Sequence, residues 1–185
     1  MKITKSQLQR IIKEEMKQVI DNFGVRHFFV VDDVLTLYFD EHLRIICEKL
    51  IEENIKITFE GSTRANLIKD EMIELMSRAG LIRMSFGLET VDSEMRKTMK
   101  KQVPLKHYSD ANRVLNKYNV EAANSVMIGL PGETRKTVQK TLDYLRNDSE
   151  VKMANFAIAI PYPGTEFYGI AQSGHQGMEI ISDDF

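Results

Sequence analysis

The chain has 185 residues, 25 Lys and Arg against 27 Asp and Glu, a net charge of -2 and 43% hydrophobic residues, the make-up of one ordinary folded domain and not of a disordered or collagen-like chain. No stretch approaches the roughly 18 apolar residues of a membrane span, and the charged N-terminus lacks the apolar run of a secretory signal, so a cytoplasmic location is expected. The balanced charge offers no field for nucleic acid, and the single cysteine, Cys47, cannot alone form a disulfide, a Cys-based zinc site or an iron–sulfur site.

The first segment, Ser6 to Asn22, sets Leu8, Ile11, Ile12, Met16, Val19 and Ile20 on one stripe, which predicts an amphipathic helix with Gly24 just past its end. Five apolar runs rich in β-branched and aromatic residues follow. They are Arg26 to Val31, Ile55 to Glu60, Ile82 to Gly87, Val120 to Ile128 and Ala154 to Ile160. Between them lie helical spacings: Leu43, Ile46, Cys47 and Leu50; then Met72, Ile73, Leu75, Met76 and Ala79, with Gly80 to end that helix. Tyr108, Ala111, Val114, Leu115 and Tyr118 repeat the pattern, as do Val138, Leu142 and Leu145. The segment from Pro161 reads as a loop into a short helix, and the final MEIISDDF stops without a cap or turn, as a cut end would.

This alternation predicts an α/β chain of about five parallel strands with helical crossovers, either an open doubly wound sheet or part of a closed barrel. Both place ligands at the carboxyl ends of the strands, and the residues there are polar or glycine-containing. Asp32 and Asp33 follow the first run, Glu60 to Arg64 the second, and Gly87 to Thr90 the third. Gly129 to Thr134 follow the fourth and Pro161 to Thr165 the fifth.

Each candidate has a structural reading beside the functional one. The adjacent carboxylates of Asp32 and Asp33 suit a cationic group or a metal, or a helix N-cap. Arg64 suits a carboxylate held by its planar fork, or it is a solvated loop residue. Glu89, two residues after Gly87, suits ligand hydroxyls or the surface. In GLPGET the glycines and proline fix a turn, and Thr134 is placed to cap the next helix. Cys47 lies on an apolar helix face and reads as core. The four histidines lack ligand spacing, and no phosphate-cradling glycine motif is present.

In this order, HFFVVDD, ITFEGSTRANLI, AGLIRMSFGLET, SVMIGLPGET and IPYPGTEFY resemble successive strand exits of the radical S-adenosylmethionine (radical SAM) superfamily, particularly its cobalamin-binding branch. The resemblance runs from about Glu15 to the end. It implies an incomplete (β/α)6 partial TIM-type barrel with the first strand missing, residues 1–22 forming an N-terminal helix and residues 23–185 the barrel core. By resemblance, Asp32 and Asp33 meet the methionine amino group of S-adenosylmethionine, Arg64 its carboxylate, and Gly87 and Glu89 the ribose. Gly129, Gly132 and Glu133, with the backbone around Pro161 and Thr165, correspond to the adenine side.

The family's four-iron four-sulfur cluster sits on C-x-x-x-C-x-x-C, which is absent here, so the cluster's ligands are missing and the chain alone is expected to be catalytically incomplete. Cobalamin is implied only in a domain outside these residues. The expected partners are a small-molecule ligand and a preceding segment or second chain supplying the first strand and cysteines, with no nucleic acid and no membrane span. The alternatives are a ligand-binding module without redox chemistry, half of a split enzyme, or an unrelated aldolase-like barrel. The last would need a catalytic Lys at a strand end, which none of the five runs has.

Overall fold

A computed structural model describes residues 10–148 and 150–175. Five strands alternate with helices: β1 His27–Phe29, β2 Thr58–Ser62, β3 Leu81–Glu89, β4 Glu121–Ile128 and β5 Met153–Ile158. The helices are α1 Lys17–Phe23, α2 Arg44–Glu52, α3 Asp70–Ala79, α4 Ser93–Thr98, α5 Leu105–Lys117, α6 Arg135–Asn147 and α7 Glu166–Gln172. Wider, π-wound turns, Ile11–Met16 and Phe39–Leu43, lead into α1 and α2. Leu8 and the MEIISDDF tail lie outside the described residues.

The strands are parallel and form one sheet in the order β1-β2-β3-β4-β5. Because that order never reverses, there is no switch point of the kind that defines a doubly wound sheet, and successive crossovers of one hand advance in one direction. Of the two architectures left open by periodicity, this topology is the barrel type.

The chain divides into two compact units. The first draws on Met1–Gly87, Val103–Asn124 and Ser149–Met153, and the second on Leu88–Gln102, Ser125–Asp148 and Ala154–Phe185. In the first unit, the expected helix faces are the buried ones. Leu43, Cys47 and Leu50 are buried around α2, Met72, Ile73, Met76 and Ala79 on α3, and Tyr108, Ala111 and Leu115 on α5. Full burial of side chains such as Ile73, Met76 and Leu115 contributes roughly 1.5–3 kcal/mol each before entropy is charged against it.

Alternation along β3 buries Met84 and Phe86 on the helix side, where Phe86 meets the Tyr108 ring at 5.9 Å. A pair of amides joins α5 to β4 on that side. Asn112 and Asn124, both fully buried, donate to each other's side-chain oxygens at 3.0 and 2.9 Å, and Asn124 also donates to Met153 O at 3.0 Å.

α1 ends at Gly24 (φ +67°), whose N–H donates to Ile20 O, and α3 ends at Gly80 (φ +112°). Gly80 is doubly constrained, because a Cβ there would stand 2.2 Å from Ile57 O. The strand boundaries differ from the sequence reading by up to three residues, most at β2. β2 starts at Thr58, not Ile55, because the end of α2 runs on: Ile55 N donates to Leu50 O, with Asn54 at φ +54°. β2 and β3 also continue past Glu60 and Gly87, where they were expected to end, to Ser62 and Glu89, and Thr63 N still donates to Ser85 O. Gly61 and Gly87 are strand residues; at Gly61 a Cβ would stand 2.6 Å from the Leu35 side chain.

In the second unit, Met95, Leu130 and Ala159 form a small buried cluster, with Met99, Met127 and Phe167 packed against it. Thr141 is the buried residue of α6, while its apolar neighbours Val138, Leu142 and Leu145 are half-buried. Among the described residues, no helix is long and apolar enough to cross a membrane.

Candidate functional site

In the first unit, the residues after β1 fold back on themselves. Asp32 N donates to Val30 O at 3.1 Å, and the Asp32 carboxylate accepts from Val34 N at 2.7 Å, closing a turn over the exposed Asp33. Asp32 therefore serves a turn through one oxygen and not the expected helix N-cap, since the next helical turn begins at Phe39 after Tyr38, and its other oxygen is left for a ligand. The loop is anchored to β2 by Leu35 N donating to Ser62 O, and by the buried hydroxyls of Thr36 and Thr63, 2.5 Å apart. Beneath it lies a hollow of about 220 Å³ whose lining includes Asp32, Leu37, Tyr38 and His42.

Arg64 is exposed on extended backbone just before the 3-10 turn Ala65–Leu67. It makes no ion pair among the described residues. Asp32, Asp33 and Arg64 thus stand on the loops after two hydrogen-bonded neighbouring strands, β1 and β2.

Sequence reasoning missed a lane of charge across the first four strands. Glu60 accepts from His27 Nε2 at 3.1 Å and from Arg83 Nη1 at 3.0 Å, and Arg83 Nε donates to Glu121. The two carboxylates raise the Arg83 pKa above its ordinary value, Glu121 having the larger effect. The alternation in RMSFGLE could have found Arg83, because it lies on the same face of β3 as Ser85, Gly87 and Glu89, opposite Met84 and Phe86. Treating Gly87 as the strand end concealed that register.

In the second unit, Glu89 is the last residue of β3 and has φ +62°, a left-handed conformation that costs a non-glycine residue on the order of 1–3 kcal/mol. Thr90 N donates to Leu88 O at 2.9 Å, so the chain makes a three-residue turn around Glu89. The Glu89 carboxylate accepts from Lys101 Nζ at 3.3 Å and is largely buried.

The buried Asp92 then caps α4, accepting from Glu94 N and Met95 N at 3.1 and 3.2 Å and from Lys140 Nζ at 2.6 Å. Lys140, followed by the Met95 N–H, holds the Asp92 carboxyl below the usual carboxylate range.

The GLPGET segment is a self-closed turn. Gly129 and Gly132 have φ +89° and +75°, and the Glu133 carboxylate accepts from Gly129 N at 2.6 Å. Thr134 caps α6 as expected, in a reciprocal box with Thr137. Tyr162 to Thr165 form a second turn with Pro163 and Gly164 (φ +85°) at its centre, and Thr165 N donates to Tyr162 O at 3.2 Å. The Thr165 hydroxyl caps α7, accepting from Tyr168 N at 3.1 Å while donating to Tyr162 O at 2.7 Å. Pro161 is half-buried at the entrance to this turn. In both loops the side-chain oxygens are engaged locally, which leaves backbone groups as the surface a ligand could read.

The chain's own residues do not fit an iron–sulfur cluster. The only thiol, Cys47, is fully buried on α2, and burial pushes its pKa up to about 12, so it is a packed, protonated core residue. Among the described residues, no three His, Cys, Asp or Glu side chains gather as metal ligands would.

Parallel strands joined by helical crossovers in an unreversed order define a barrel-type α/β fold. The sequence matches the Radical SAM superfamily over residues 4–145, and the chain belongs to that superfamily. An uncharacterized methyltransferase of Pyrococcus horikoshii is 27% identical over 164 residues, 89% of this chain and 35% of that protein. The anaerobic magnesium-protoporphyrin IX monomethyl ester cyclase of Rubrivivax gelatinosus is 24% identical, over 85% of this chain and 28% of its own length.

The radical S-adenosylmethionine methyltransferase TsrM of Kitasatospora setae, solved with cobalamin and a [4Fe-4S] cluster bound, superposes with a TM-score of 0.75 at 15% identity, over 90% of this chain and 31% of that one. The cobalamin-dependent enzyme OxsB does so at 0.67 and 17%, over 92% of this chain and 25% of that one. Those likenesses establish the fold. The chain spans about a third of the length of the relatives it matches.

Proposed function

We propose that this chain is the S-adenosylmethionine-binding core of a radical SAM enzyme and is catalytically incomplete by itself. The observation that carries the proposal is a superfamily match over residues 4–145 in a chain whose one cysteine is sealed in the core. In the family the cluster supplies the electron that cleaves S-adenosylmethionine; here its thiolates come from outside these 185 residues, from another segment or a partner chain.

The residues present bind and orient. The available oxygen of Asp32 and the exposed Asp33 carboxylate attract the methionine ammonium, and Arg64 offers its fork to the carboxylate. Glu89, its carboxylate steered by Lys101, takes a ribose hydroxyl. The turns at Gly129 to Glu133 and Pro161 to Thr165 present backbone groups to the adenine, and the exposed Gly129 and Gly132 have no side chain to cover theirs. Cobalamin, bound by TsrM and OxsB, would belong to a domain beyond this core.

Calorimetric titration with S-adenosylmethionine tests the binding role, and no heat at millimolar ligand overturns it. Anaerobic iron–sulfide reconstitution tests the incompleteness. The chain is expected to hold no stable cluster, and a stable cluster would defeat the proposal.

A further inference from the structure

Arg96 is a buried cation on α4, 7% exposed, and the role proposed above for Glu89 gives it no part. Its Nη1 donates to Leu88 O at 3.3 Å and to Thr90 O at 3.0 Å, the two carbonyls on either side of Glu89. Its own carbonyl accepts from Lys101 N at 2.8 Å, and the Lys101 ammonium in turn reaches the Glu89 carboxylate. One residue thus fixes the backbone on both sides of the left-handed residue through its side chain, and the residue that steers the carboxylate through its main chain. A left-handed glutamate relaxes toward ordinary strand geometry unless its neighbours are held, and that relaxation would swing the carboxylate away.

We infer that Arg96 is a positioning residue: it clamps the Leu88–Thr90 turn so that the Glu89 carboxylate is preset to receive a ribose hydroxyl. The inference rests on the reading of Glu89 as a ligand contact, and the test separates the two. The full chain is titrated with S-adenosylmethionine and with its 2′-deoxy and 3′-deoxy counterparts. The unmodified chain should prefer the complete ribose at least about tenfold, as a hydrogen bond to a carboxylate allows.

Arg96→Lys keeps the positive charge, but its shorter side chain and tetrahedral ammonium lack the in-plane N–H pair that Nη1 directs at the two carbonyls. It should bring the preference to within about twofold. Binding weakened equally for all three ligands, with the preference intact, overturns the inference while leaving the ligand reading of Glu89 in place. No preference in the unmodified chain overturns that reading, and the role of Arg96 with it.

A cycle on thermal stability, independent of ligand, uses R96K, E89G and the double variant. Glycine accepts a positive φ without strain, so R96K should lower the Tm less in the E89G background than alone. Additive shifts, or an R96K chain that fails to fold in both backgrounds, assign Arg96 to general core support and overturn the inference.

Discussion

Burial decides the chemistry of Cys47, whereas at Asp92 charged and amide partners override it. Cys47 has no cation or helix N-terminus to favour its thiolate, so desolvation dominates and the thiol stays protonated. Native protein is expected to resist alkylation at neutral pH and to react fully once unfolded, as mass spectrometry after iodoacetamide would show.

Asp92 is also buried, yet Lys140 and two amide donors favour its charged form. Its folded pKa lies below the unfolded value, so its stabilisation is fully present above pH ~4 and fades as pH falls through the lower folded value. Asp92→Asn keeps the cap and removes the charge. It should cost no more than about 1 kcal/mol at neutral pH, since the half-exposed Lys140 is screened by solvent. It should also flatten the decline of Tm below pH ~4; an unchanged acid limb would count against this assignment.

The elements are held in register by a few positions where alternatives are sterically or electrostatically costly. Gly80 joins α3 to β3 with a positive φ and with Ile57 O where a side chain would begin. Gly80→Ala should therefore destabilise by more than the roughly 1 kcal/mol of conformational strain alone, measured by urea denaturation. The Asn112 and Asn124 amides tie α5 to β4 and reach the start of β5. Asn112→Ala leaves a buried amide without its partner and should cost about 1–3 kcal/mol, whereas replacing both with leucine should recover part of that loss. Equal losses in the single and double variants would argue that packing, not hydrogen bonding, sets the cost.

At the scale of the molecule, strand order matters more than any single contact. The sequence shows that strands and helices alternate, but an unreversed order depends on which strands pair, and pairing is a long-range choice among similar apolar edges. The incompleteness proposed for the chain is likewise a whole-molecule property. Fusing a segment bearing three correctly spaced cysteines ahead of Met1 is expected to permit a cluster with visible absorption after anaerobic reconstitution, and the chain alone is expected to show none. Absorption of equal strength in both would defeat that view.

Helix faces, caps and turns were legible in the sequence because each is set by residues a few positions apart. The Leu43–Leu50 and Met72–Ala79 stripes, Gly24 and Gly80 as stops, and Thr134 as a cap all depend on local geometry. The strand exits were legible only to within two or three residues, since Gly61 and Gly87 break strands by propensity but here lie within β2 and β3. The His27–Glu60–Arg83–Glu121 lane, the Asn112–Asn124 pair and the Arg96 clamp on Glu89 were decided by tertiary structure alone. Each joins residues that become neighbours only when separate elements pack, and no local pattern encodes which buried charge or amide will find which partner.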